Sequence, residues 1–176
     1  MHNRKKLSRI VCFLILLVLA TDALWYVWPR TAEELFPEFR WEDVAQVGGS
    51  YDYCVADEKP ANAPDHYTGT VEAVDLSTPE GQEILSLLQR VKYRRTLGNL
   101  LPSGTRYYGP LRPGDFQTEV VFSTTDATLT VEYWWDEIQI SFRHNPEYIC
   151  KVDGEEELAS RMLQWLRSHS AGESPF

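Results

Sequence analysis

Chemistry-bearing spacings are scarce in this chain. Its three cysteines, Cys12, Cys54 and Cys150, form no Cys-x-x-Cys pair, and its four histidines, His2, His66, His144 and His169, include no helical His-Glu-x-x-His. The common zinc-site patterns are therefore missing. So are glycine-rich phosphate loops, the strand-to-helix nucleophile elbow, internal repeats and low-complexity tracts. No catalytic residue, no metal ligand and no cofactor is predicted. Basic residues are also in the minority, with 17 Lys and Arg against 26 Asp and Glu. Setting aside residues 1–28, which hold four of those cations and one of those acids, leaves 13 against 25, a balance of −12. Such a field repels phosphate backbones, so nucleic acid is not an expected partner.

What is present is most specific at the N-terminus. Arg4, Lys5, Lys6 and Arg9 precede the apolar run Ile10–Ala20, then Thr21-Asp22, then Leu24-Trp-Tyr-Val-Trp28 before Pro29. At about 1.5 Å per residue, residues 10–28 nearly match a hydrocarbon layer of roughly 30 Å. Cations on the near side and Trp25, Tyr26 and Trp28 as an outer belt predict a single crossing with the N-terminus in the cytoplasm. A cleaved signal peptide is the competing reading, because small residues occur at Val18–Ala20 and Thr21–Ala23. The aromatic belt favours an uncleaved anchor, although Asp22 would cost up to roughly 3 kcal/mol at the bilayer centre. The expected organisation is a basic cytoplasmic segment at 1–9, a transmembrane signal anchor at 10–28, a stalk at 29–46, an extracytoplasmic domain at 47–168 and a flexible tail at 169–176.

Within the domain, Phe116–Ser123, Thr128–Trp135, Ile138–Arg143 and Tyr148–Val152 are short runs rich in β-branched and aromatic residues, joined by connections that permit only antiparallel neighbours. Val47–Val55 and Tyr67–Leu76 supply one or two earlier strands. Ile84, Leu87, Leu88 and Val91 recur at helical spacing after Ser77-Thr-Pro-Glu80, as do Leu158, Met162, Trp165 and Leu166 after Asp153. Thr31 with Glu34, and Asp153 with Glu156, have the spacing of capping boxes. The fold class is α+β: an antiparallel sheet, comprising a four-strand C-terminal meander and one or two N-terminal strands, with two amphipathic helices on one face, preceded by one transmembrane helix.

The unusual stretch is 84–114, which holds Arg90, Lys92, Arg94, Arg95, Arg106 and Arg112 and no acid. Arginine pairs bidentately with carboxylate or phosphate, and Tyr107 and Tyr108 would flank such a group. These eight residues are the candidate ligand or partner site. The alternative is that the cations balance acids on neighbouring strands. Trp134 and Trp135 also stand out, since adjacent strand residues face opposite sides; packing under a loop or helix is favoured over a platform for a sugar ring or a partner's side chain.

Thr78-Pro-Glu-Gly81, Tyr93-Arg-Arg95, Asn99-Leu-Leu-Pro102 and the sheet-then-helix ending resemble a group of small, single-anchor bacterial envelope proteins with no assigned activity. The resemblance spans roughly residues 70–166 and implies an extracytoplasmic α+β domain, transferring no catalytic residue. The expectation is a membrane-tethered, non-catalytic recognition module in the cell membrane, its C-terminal domain extracytoplasmic, holding an anionic envelope component or a protein partner. Alternatives are an exported hydrolase or a structural subunit of a membrane complex. Strand alternation puts Cys150 inside and Cys54 outside, so two free thiols are predicted.

Overall fold

The structure, a computed structural model, describes residues 2–55, 66–100, 110–143 and 147–175, with the side chains of 2–9 and 147 excepted. Eight strands form one sheet: β1 Gln46–Cys54, β2 His66–Asp75, β3 Arg94–Arg95, β4 Phe116–Ser123, β5 Thr128–Trp134, β6 Glu137–Phe142, β7 Glu147–Lys151 and β8 Glu173–Pro175. Their order is β3-β7-β6-β5-β4-β1-β2-β8, and every pairing is antiparallel. Helices α1 His2–Tyr26, α2 Ala32–Leu35, α3 Pro79–Gln89 and α4 Glu155–His169 complete the fold. The meander and the β1–β2 hairpin match the sequence expectation; β3 and β8, at the two edges, are additional.

Period-two alternation decides which face is the core. The register aligns Val47 with Phe122, Leu129 and Phe142, and aligns Val120 with Val131 and Ile140. All are buried, as are Ile138 and Cys150 in the next row. Helix α4 lies across β1, β2 and β4 with Leu158, Met162, Trp165 and Leu166 inward. Trp165 Nε1 donates to the Glu80 carbonyl of α3 at 2.9 Å, which locks the two helices onto the same face. The segment expected as a stalk contributes to this core. Phe36, Phe39, Trp41 and Val44 are buried, and Phe39 and Trp41 meet edge-on with ring centroids 5.0 Å apart. Thr31 and Glu34 form the predicted capping box at α2.

Three local expectations are displaced. The β5–β6 turn is Trp135-Asp136, both residues left-handed with φ of 52° and 58°, one position earlier than Asp136-Glu137. A two-residue turn of this hand matches the strand twist, at the expense of putting two non-glycine residues in αL. Trp134 therefore ends the strand while Trp135 leaves it, and alternation no longer relates them. Helix α4 is preceded by Gly154 at φ 73° with no side-chain cap, so Asp153 does not cap it. Glu155 instead accepts the Ile138 N–H at 2.8 Å, tying the helix start to β6. Finally, the tail holds β8, which pairs with Tyr67–Gly69. Its Glu173 accepts from Tyr51 Oη at 3.3 Å, Tyr53 Oη at 2.9 Å and Arg167 Nε at 2.8 Å. The Tyr51 ring lies over Gly69 so closely that any Cβ there would overlap it.

No helix among the described residues is long and apolar enough to cross a membrane. Helix α1 nonetheless exposes Ile10, Val11, Leu24, Trp25 and every residue from Phe13 to Leu19 by 46–66%. The two domain cysteines are free, as predicted. Cys54 is on β1 and Cys150 on β7 with β4, β5 and β6 between them, a separation of roughly 19 Å at strand spacing, against about 7 Å for a bridge.

Candidate functional site

The basic stretch does not assemble into one site among the described residues. Arg106, Tyr107 and Tyr108 lie outside them. Arg112 is exposed beside the start of β4, where its backbone N–H donates to Asp115 at 3.1 Å. Arg90, Lys92 and Arg94 are exposed between the end of α3 and β3. Lys92 Nζ lies 3.3 Å from Glu34 Oε2, and Arg94 lies 4.0 Å from Asp153. The hydrogen bond from the Thr31 backbone, followed by the one from Lys92, holds the Glu34 carboxyl below its ordinary value.

Arg95 has a different situation. On the edge strand β3 its side chain turns into the core face beside Cys150, its register partner, and is only 9% exposed. Its guanidinium sits 4.2 Å from the ring centroid of Tyr26 and 5.1 Å from that of Tyr148, and Nε donates to the Tyr26 carbonyl at 3.2 Å. That carbonyl ends α1, where a cation favours the helix dipole. Arg30 repeats the arrangement from outside, 3.9 Å above the Trp25 ring and donating to its carbonyl at 3.0 Å. Arg30 and Tyr93 also exchange backbone hydrogen bonds of 3.0 and 2.7 Å. Two arginines and one β-bridge thus fasten the end of α1 to the sheet edge. Burial pushes the neighbouring Cys150 thiol up to about 12.

Around this junction Leu24, Val27, Trp28 and Pro29 form one wall, and Lys92 and Arg94 the other, of an open recess of about 570 Å³. Arg90 and Lys92 border a second recess with Arg161, Asp153 and Glu157.

The sheet's other face is polar. Glu119 of β4 stands directly opposite Glu132 of β5, Ser50 Oγ donates to Glu119 at 3.2 Å, and Gln117 donates to Asp52. With Trp134 these residues line a shallow recess of about 140 Å³. Like charges directly opposite on paired strands work against stability. The sequence carried this face only as the polar half of each strand's alternation, a pattern shared by any half-solvated sheet. Asn99, which the sequence singled out only within Asn99-Leu-Leu-Pro102 and without a role, completes the sheet edge at β7: its amide donates to the Ile149 carbonyl at 2.9 Å and accepts the Ile149 N–H at 3.1 Å. No group of three or more His, Cys, Asp or Glu among the described residues is placed to hold a metal.

The chain matches no family model, no curated protein and no solved structure.

Proposed function

We propose that this chain is a non-catalytic recognition module tethered to a membrane by α1, with its α+β domain on the extracytoplasmic side. The observation that carries this is the unequal treatment of α1. Its last turn is fastened by Arg95 and Arg30, while the apolar residues from Ile10 to Leu19, with Leu24, are exposed. A helix apolar around its whole circumference needs an apolar medium. The uninterrupted apolar run before Thr21-Asp22 is short, and residues 10–26 of the helix would measure about 25 Å, so crossing roughly 30 Å of hydrocarbon would use the long side chains of the cationic N-terminal turns reaching back to the interface. Arg4, Lys5, Lys6 and Arg9 support a cytoplasmic N-terminus. The cationic ridge of Arg90, Lys92 and Arg94 beside the fastening, in a domain of net negative charge, supports an anionic ligand or partner.

The test is fractionation of cells expressing the intact chain. It should sediment with membranes, resist alkaline carbonate, and lose residues 30–176 to protease added to cells stripped of their wall. Release by carbonate removes the anchor from the proposal, and full protection of the domain reverses the orientation. A second reading, an exported hydrolase, draws on the facing Glu119 and Glu132 beside Trp134. Hydrolysis of a glycan or peptide substrate that is lost in both Glu119→Gln and Glu132→Gln would move the assignment there.

A further inference from the structure

We infer that the recess at the junction of α1 and the sheet holds the headgroup of an anionic phospholipid. This rests on the membrane-tethered reading and names its ligand. The two walls differ in chemistry. Leu24, Val27, Trp28 and Pro29 are apolar and continue the exposed surface of α1; Lys92 and Arg94 face them from the approach to β3. A ligand satisfying both walls carries an aliphatic part along the helix and a negative group at its end. Free phosphate uses only the cations and leaves the apolar wall in water.

Charge points the same way. Residues 29–176 have a balance of −12, so an anionic membrane surface repels the domain as a whole. The cations beside the recess are the local exception, at the end of the helix that enters the membrane. Their protein partners leave them available. Lys92 and Glu34 are each more than half exposed, and Arg94 reaches Asp153 only at 4.0 Å with that carboxylate 98% exposed. Such pairs contribute little and exchange readily. The Arg94 guanidinium can present two parallel N–H donors to a phosphodiester, which Lys92 reinforces as a point charge. Trp28, 67% exposed, places its ring at headgroup level.

Native mass spectrometry of the full chain in non-ionic detergent tests this, with phosphatidylglycerol, phosphatidylcholine and inorganic phosphate as separate probes. The expected result is a one-to-one phosphatidylglycerol adduct formed at concentrations well below those needed for phosphatidylcholine, with no retained phosphate. Lys92→Gln and Arg94→Gln should each weaken it about fivefold, as expected for one cation near an anionic surface, and Arg143→Gln, at an exposed arginine paired with Asp126, should leave it unchanged. Equal retention of both lipids, retention of phosphate alone, or indifference to both substitutions overturns the inference. Carbonate extraction of the membranes from which the chain is purified separates the two failures: an extracted wild-type chain defeats the anchor as well, whereas an integral chain without lipid preference defeats only the headgroup site.

Discussion

Replacing Arg95 by methionine is the sharpest probe of how the helix is held. The guanidinium donates one hydrogen bond to Tyr26 and covers the rings of Tyr26 and Tyr148. A hydrogen bond from a charged donor contributes about 1.5–3 kcal/mol, and each ring face about 0.5–2 kcal/mol, more as the site is drier. Against this stands the desolvation of a cation that is only 9% exposed, which methionine, of similar volume, would relieve. With a carbonyl and two π faces as its surroundings, the balance is a loss of about 2 kcal/mol, or about 4–8 °C in Tm for a chain of this size. Arg95→Lys keeps the charge without the planar fork and should fall between the two. Tyr26→Leu in the same background identifies the cause, because the double variant should lose about 1 kcal/mol less than the sum of the singles. Near-ultraviolet circular dichroism of the full chain in micelles reads the wild type and all four variants. A methionine variant as stable as wild type, or more so, refutes the reasoning: the arginine would then be a tolerated burden and not a fastener.

Gly69→Ala places a methyl group within the Tyr51 ring and should cost about 1–3 kcal/mol, seen as a lower denaturant midpoint with an unchanged slope. For Glu173, burial raises the pKa, but the hydrogen bonds from Arg167 and Tyr53 outweigh it and the net shift is downward. Its contribution is therefore complete above the ordinary glutamate value and disappears as pH falls through the lower folded value, so Glu173→Gln should flatten the acid limb of the stability profile. An unchanged limb would count against a stabilising role for the Glu173 contacts with Tyr51, Tyr53 and Arg167. Cys54 should react with an alkylating agent in the native protein, Cys150 only after denaturation, and neither should need reductant. Protection of both until reduction would contradict the strand order.

The meander was legible because each of its strands is a short run rich in β-branched and aromatic residues and each connection is short. The two helices were legible because Ile84 and Leu88, and Leu158, Met162, Trp165 and Leu166, keep helical spacing. β3 and β8 were not, since Arg94–Arg95 and Glu173–Pro175 have no alternation of their own and become strands only because β7 and β2 offer an edge. The left-handed turn at Trp135-Asp136 carries none of the glycine or asparagine that marks such turns. The basic stretch was visible as composition, but composition could not separate Arg95, which faces inward, from Arg94, which faces out. One residue of strand alternation makes that difference, and it turns on a two-residue strand.

The sheet ends on both sides in fragments, with consequences for how copies of the chain meet. Under the membrane tether proposed above, the domain would be confined to a surface, where neighbours collide in a plane at high local density and open strand edges recruit one another. Here one margin is closed by two residues of β3 and then by the Asn99 amide, a single side chain standing in for a strand at Ile149. The other is closed over Tyr67–Gly69 by a segment ending in Pro175, beyond which the edge carries Glu72 and Asp75. Neither margin offers a long neutral template, since one carries Arg94 and the other Glu72 and Asp75, so edges that meet find charge and short strands and not a surface on which a shared sheet grows. Asn99 supplies the acceptor in that insulation: the Ile149 carbonyl also accepts the Thr96 N–H at 3.1 Å, but Asn99→Ala would leave the Ile149 N–H open to an acceptor from water or from the next molecule.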